Sequence, residues 1–110
     1  MKDDNRIRSF DAFYAYYLSE HQNRTCRALH FTGTFLVFVL SFFAVYLSES
    51  YLWWFVPLMG YGFAWVGHYF FEKNRPATFT YPVWSLLSDF RMFFDILFGR
   101  ISFDGSKDQA

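Results

Sequence analysis

The chain has 110 residues and no net charge, and its residues are 54% hydrophobic, 26% aromatic and only 18% charged. A soluble domain of this size leaves much of its surface in water and cannot bury so many aromatic side chains, so the composition favours a membrane protein. The zero charge balance argues against a nucleic acid partner, and the single cysteine, Cys26, excludes an internal disulfide.

The first predicted element is an amphipathic helix of about four turns, because apolar residues recur at helical spacing from Ile7 to Leu18. His21 falls on the same helical face as Phe10 and Tyr17. We therefore expect the His21 imidazole to point toward whatever this helix packs on. A short polar joint follows.

Two apolar segments, residues 28–47 and 51–71, come next, with a polar turn between them. Each has about the 20 residues that a membrane-spanning helix needs, so they predict a transmembrane hairpin. The basic residues that flank the hairpin are Arg24, Arg27, Lys73 and Arg75. The positive-inside rule then places both termini in the cytoplasm. The expected membrane is the inner membrane in a bacterium or the endoplasmic reticulum in a eukaryote.

A last amphipathic helix is predicted from Val83 to a cap at Gly99, lying at the interface or over the hairpin. Its apolar stripe comprises Leu86, Leu87, Phe90, Phe93, Phe94 and Leu97. The residues expected on the opposite side are Ser85, Ser88, Arg91 and Asp95. The predicted fold class is all-α: one integral membrane helical bundle over residues 1–110, a transmembrane hairpin between two amphipathic helices, with loose ends at about 1–6 and 102–110.

The hairpin places two histidines at one depth. His30 lies 17 residues before the end of the first span, and His68 lies 17 residues after the start of the second. At about 1.5 Å per residue, both are roughly 25 Å from the turn. His21 lies just outside this level, and Glu72 is one helical turn beyond His68. Three imidazoles and a carboxylate suit iron or another divalent transition metal, manganese and zinc included.

Other interpretations of the same residues stay open. His21 and His30 are nine apart, which puts them on opposite faces of a continuous helix, so a shared metal requires a bend near Asn23. Each histidine alone fits a hydrogen-bonding role at a helix end. Asn74 and Arg75 fit either helix capping or binding of a substrate carboxylate.

Several motifs along the chain resemble one known family. They are His21, Asn23-Arg24, His30 with Gly33, Gly67-His68, the string from Glu72 to Thr78, Ser88 to Met92, and Gly99. The pattern resembles the Mpo-type 2-hydroxy fatty acid dioxygenases, small membrane proteins, over nearly the whole chain. The string that begins at Glu72 is its most specific part.

The resemblance implies an iron(II)-dependent, membrane-bound enzyme that uses dioxygen to shorten a 2-hydroxy fatty acid by one carbon. Its implied catalytic metal ligands are His21, His30, His68 and Glu72, the last as a ligand or as a residue that orients one. The candidates for binding substrate are Arg24, Asn74 and Arg75. A homo-oligomer is compatible with this interpretation. The alternatives are a structural or lipid-binding membrane protein without metal, and a b-type haem held between His30 and His68.

Overall fold

A computed structural model describes residues 7–105, which form four α-helices and no strand. The helices are α1 (Phe10–Ser19), α2 (Arg24–Tyr46), α3 (Leu52–Val66) and α4 (Pro82–Leu97). A π-helical turn, Gly67–Glu72, extends α3, and a 3₁₀ turn, Ala77–Phe79, precedes α4. The predicted all-α class is confirmed for these residues; of the predicted loose ends, 1–6 and 102–110, only residues 102–105 are among them.

The centre of the fold is the antiparallel pair of α2 and α3. Gly33 of α2 lies so close to α3 that a Cβ atom there would be 2.9 Å from the backbone oxygen of Met59. At the other end of the pair, a Cβ on Gly67 would be 2.9 Å from the Sγ atom of Cys26. Small residues at both contacts therefore let the two backbones approach, as is common between membrane helices.

Only α2, among the described residues, is long and apolar enough to cross a membrane. Its apolar window is 22% buried inside the protein, whereas the core helix of a soluble protein is mostly buried. The predicted second span, 51–71, is divided between the 15 residues of α3 and the π-helical turn. Two helices pack side by side as predicted, but the crossing of the membrane by the second stays a prediction.

The first helix is shorter than the sequence predicts. It begins at Phe10 because the Ser9 hydroxyl accepts the backbone N–H of Ala12 at 3.2 Å and so caps the helix. Its inward face forms a core against α4. The buried members of this core are Phe13, Tyr14, Tyr17, Ala77, Met92 and Ile96.

The predicted faces of α4 are correct at some positions, since Phe93 is buried and Arg91 is exposed, and wrong at others. Ser85 and Ser88, expected opposite the apolar stripe, are 2% and 0% exposed, whereas Leu86 and Leu87 are 43% and 51% exposed. The helix thus turns Ser85 and Ser88 inward, where they permit close packing, together with Met92, Phe93 and Ile96, while Leu86 and Leu87 keep much of their surface exposed. An amphipathic pattern assigns the polar face to water, and that assumption fails when the surrounding medium is apolar.

The predicted loose tail is partly described. The backbone N–H of Gly105 donates to the Gln22 carbonyl at 3.0 Å, and Arg27 donates from Nη1 to the Ser102 carbonyl at 2.8 Å. Residues 102–105 therefore lie against the joint between α1 and α2.

Candidate metal centre

The three histidines of the chain converge at the open end of the α2–α3 pair. His21 lies in the α1–α2 joint, His30 in α2 and His68 in the π-helical turn, and they are 1%, 4% and 2% exposed. One ring nitrogen from each lies within 4.8 Å of the other two. Three buried imidazoles at these distances can hold a metal ion.

Hydrogen bonds assign the protonation of all three rings. Nδ1 of His21 lies 2.5 Å from the Tyr17 carbonyl, Nδ1 of His30 lies 2.9 Å from the Cys26 carbonyl, and Nδ1 of His68 lies 2.6 Å from Oδ1 of Asn74. Each acceptor is an oxygen, so each Nδ1 carries the proton and each Nε2 carries a lone pair. Metal-binding histidines usually donate their second nitrogen in this way.

The free nitrogens face one another. Nε2 of His21 and Nε2 of His30 are 3.0 Å apart, and neither has a proton left to share if both Nδ1 atoms are protonated. Burial is the main cause that lowers the pKa of His21 well below its ordinary value, and the neighbouring His30 and His68 lower it further. This ring is therefore neutral at pH 7. Two opposed lone pairs repel, and a cation between them removes the repulsion.

The joint between α1 and α2 brings His21 to His30. The first helix ends at Ser19 and the second begins at Arg24, so the chain bends where the sequence required a bend. Arg27, which is 0% exposed, donates from Nε to the His21 carbonyl at 2.5 Å. The Tyr17 ring stacks on the His21 imidazole at 3.9 Å between centroids. These contacts fix both the backbone and the ring plane of His21.

The π-helical turn positions His68. Gly67, directly before it, allows the turn to contact Cys26, one helical turn before His30. The turn ends at Lys73, which adopts a left-handed conformation with φ 62°, and the N–H groups of Lys73 and Asn74 both bond to the His68 carbonyl. This end of the π-helical turn places the Asn74 side chain against the His68 ring. Such π-helical turns occur frequently at functional sites.

Glu72 is not among the three converging ligand groups. Its carboxylate accepts the backbone N–H of Asn23 at 2.5 Å, at the N-terminus of α2, where the helix dipole favours a negative charge. The predicted one-turn alignment with His68 assumes an α-helix, and a π-helical turn bonds residues five apart instead of four. Glu72 therefore joins the end of this turn to the start of α2, and its role as a metal ligand stays a prediction.

The three predicted substrate-binding residues lie at three different places in the structure. Asn74 lies at the site, but its amide group is occupied by His68 and by the backbone and side-chain oxygens of Glu20, at 3.1 and 3.2 Å. Arg75 is exposed and lies over the Phe79 ring. Arg24 is exposed and lines a pocket of about 280 Å³ with the tail, away from the histidines.

A small cavity adjoins the three imidazoles, with about 10 Å³ of free space, room for one water-sized group. Trp65 and Ser85 line it, and their polar atoms, Nε1 and Oγ, are buried without a hydrogen-bond partner. Buried polar groups without partners are uncommon and costly, so both atoms are available to a ligand. Sequence reasoning missed both, because a tryptophan and a serine in apolar helices resemble packing residues.

Asp89 lines the same cavity and was also missed as a site residue. The Tyr17 hydroxyl donates to its carboxylate. Asp89 keeps some exposure as a residue, yet protein atoms crowd its carboxyl group, and this burial raises its pKa from the ordinary 3.8 to about 7. Asp89 lies four residues after Ser85, so the two share one face of α4, and this spacing is the sequence signal that could have identified it.

Comparison with protein families gives one match. A family model described as 2-hydroxy-palmitic acid dioxygenase Mpo1-like matches residues 7–101, which include all four helices and all three histidines. Comparisons with curated proteins and with solved structures give no significant match. The family predicted from the sequence motifs is thus confirmed.

Proposed function

The chain belongs to the Mpo1-like family of 2-hydroxy-palmitic acid dioxygenases, and on this basis we propose that it is an iron(II)-dependent dioxygenase at the membrane surface. Its substrate is a 2-hydroxy fatty acid, which it shortens by one carbon with dioxygen. The family match supports the reaction, and the histidine cluster supports the metal.

One observation carries the proposal. One ring nitrogen from each histidine converges, Nε2 in the case of His21 and His30, while the three Nδ1 atoms donate to the oxygens of Tyr17, Cys26 and Asn74. A histidine that serves only packing has no need to direct its free nitrogen at two others. Three protein ligands also leave coordination positions open, as catalytic metal sites require.

Iron is the metal that the proposed chemistry favours. Zinc binds imidazole equally well but has no redox chemistry, so it cannot activate dioxygen. A bound ferrous ion supplies that activation. The free space of about 10 Å³ favours a bare ion over a macrocycle such as haem. Asn74 holds the His68 proton on Nδ1, so that Nε2 stays available to the ion.

Other side chains at the cavity hold the substrate. The Trp65 indole N–H and the Ser85 hydroxyl can donate to its carboxylate or hydroxyl oxygens. Asp89, with its raised pKa, can accept from the substrate hydroxyl when ionised. Arg24 and Arg75 stay candidates for drawing the substrate carboxylate toward the surface.

The overall reaction balances without an external reductant. One 2-hydroxy acid and one dioxygen give the acid one carbon shorter, carbon dioxide and water. The bond between C1 and C2 breaks, and the substrate supplies all the electrons that dioxygen takes up. Turnover with substrate, dioxygen and the iron-loaded protein alone is therefore expected.

Membrane embedding is part of the proposal. The length and hydropathy of α2 and its exposed apolar side chains support it. Residues as large as Trp54 and Tyr46 are 82% and 72% exposed at the hairpin turn, as expected for an interfacial belt. We expect both termini on the cytoplasmic side, as the flanking arginines and lysine predict.

The test is a single-substrate turnover assay. The protein is purified in detergent without oxygen, loaded with ferrous iron, given 2-hydroxypalmitate and exposed to air. We expect pentadecanoic acid from the parent protein and none from His68→Ala. Stoichiometric iron without product would reject the substrate, and the absence of both iron and product would favour a structural or lipid-binding protein. An absorbance spectrum tests the haem alternative, because haem gives a strong Soret band.

A further inference from the structure

An apolar cleft lies beside the histidine cavity, within the helix bundle. It lies between α2, α3 and α4 and has a volume of about 300 Å³. Its apolar lining comprises Val37, Val56, Pro57, Gly60, Leu86 and Phe90. Tyr61 and Asp89 line both this cleft and the small cavity beside the imidazoles, so the two spaces adjoin.

The cleft is polar at one end only. Thr34, which is 6% exposed, lies one helical turn beyond His30, close to the shared wall of Tyr61 and Asp89. Val56 lies 12 residues before His68, roughly 18 Å farther along the hairpin. A ligand with a polar head and a long apolar tail matches this order of side chains.

The sizes of the two spaces indicate which part of such a ligand each space can hold. The histidine cavity, at about 10 Å³, has room for one oxygen atom of the head group, and it is lined by Trp65 and Ser85, whose Nε1 and Oγ atoms have no hydrogen-bond partner. An acyl chain needs the neighbouring cleft. Gly60 lines that cleft without a side chain, and a Cβ atom there would be 3.2 Å from Val37, closer than an ordinary contact.

We propose that this cleft is the acyl-chain site of the substrate and that Val56, near its far end, limits the chain length accepted. The proposal rests on the proposed function for the identity of the head group. A fatty acyl chain gains at most about fourfold in affinity for each methylene buried in the cleft, the value for a methylene that leaves water, and less for one that leaves lipid or detergent.

The test uses Val56→Trp, which shortens the cleft, with Leu58→Trp as the matched control. Leu58 is 56% exposed, lies two residues away on α3 and does not line the cleft. Binding of 2-hydroxyoctanoate, 2-hydroxylaurate and 2-hydroxypalmitate to the metal-free protein is measured by titration calorimetry, so the readout is independent of iron and of turnover. Leu86→Trp, in the opposite wall on α4, serves if the first variant does not fold.

We expect the parent and Leu58→Trp to bind longer acids more tightly. Val56→Trp should lose affinity for 2-hydroxypalmitate, by at most about fourfold per displaced methylene, and keep its affinity for 2-hydroxyoctanoate. Identical chain-length profiles in the two variants would overturn the proposal, as would equally effective competition by dioleoylphosphatidylcholine.

Turnover assays distinguish a failure of this inference from a failure of the proposed function. If the chain-length profile shifts as expected but no shortened acid forms, the cleft is supported and the dioxygenase reaction is rejected. If the parent shortens the acid and Val56→Trp does so with an unchanged chain-length preference, the reaction is supported and the cleft is rejected.

Discussion

Asn74 should control metal affinity without touching the metal. Its Oδ1 atom accepts the Nδ1 proton of His68 at 2.6 Å in a buried site. In Asn74→Leu this proton has no acceptor there, and the ring can move it to Nε2, facing His21 and His30. A metal must then displace the proton before it binds.

The size of the effect follows from that lost hydrogen bond. A buried donor without a partner costs about 1–3 kcal/mol. Loss of the residue that orients a ligand histidine typically weakens metal binding by about 10- to 100-fold, which equals about 1.4–2.8 kcal/mol. Both routes give the same range, so we expect Asn74→Leu to weaken binding of one divalent ion by that factor.

The assay titrates Co(II), which is stable in air and visible by absorbance, into the metal-free protein. Asn74→Asp keeps an oxygen for His68, so its metal affinity should stay near that of the parent. Its second oxygen faces Glu20, where Asn74 now donates at 3.2 Å, so its thermal stability should fall. Arg75→Ala, in the same loop, should change neither quantity. An unchanged Co(II) affinity in Asn74→Leu would refute the ligand assignment of His68.

Three further predictions concern the packing and electrostatics around the site. Gly33→Ala should destabilise the protein by about 1–3 kcal/mol in thermal unfolding, because its Cβ would meet the α3 backbone, whereas Gly62→Ala, with nothing within 4 Å, should be neutral or stabilising. Ser85→Ala should raise the melting temperature, since it removes an unpartnered buried hydroxyl, and lower kcat/KM if that hydroxyl binds substrate. Asp89 binds its proton more tightly in the folded chain (pKa about 7) than in the unfolded chain (3.8), so its contribution to stability falls as pH rises from about 4 to 7, and Asp89→Asn should remove that part of the pH dependence. Equal slopes of unfolding free energy against pH in the two proteins would contradict the last expectation.

The sequence predicted the histidine cluster because helix geometry is regular over long distances. Equal spacing from the hairpin turn placed His30 and His68 at one level, and their ring centroids are 5.0 Å apart. The bend required to add His21 is provided by the joint that Asn23 caps through its side chain. The sequence gives the polarity of each side chain and the number of residues between them, and the rise per residue of a regular helix converts that number into a distance.

The placement of Glu72 was harder to predict because it depends on a local departure from regularity. Four-residue spacing predicts a shared face with His68 only in an α-helix, and the backbone here makes a π-helical turn. No residue type signals such a turn by itself. Tertiary contacts accompany it: Gly67 packs on Cys26, and the Glu72 carboxylate accepts the Asn23 amide.

The orientation of α4 failed for a reason that bears on function. A water-soluble helix would bury Leu86 and Leu87 and expose Ser85, and at these three positions this helix does the reverse, although Phe93 of the same predicted stripe is buried. In water that arrangement would leave apolar surface outside and an unpartnered hydroxyl inside, and both are unfavourable. In lipid the outward leucines cost nothing, and the inward hydroxyl becomes useful once a ligand reaches the cavity that it shares with His68. The same inversion therefore supports the membrane environment and the polar site inside it.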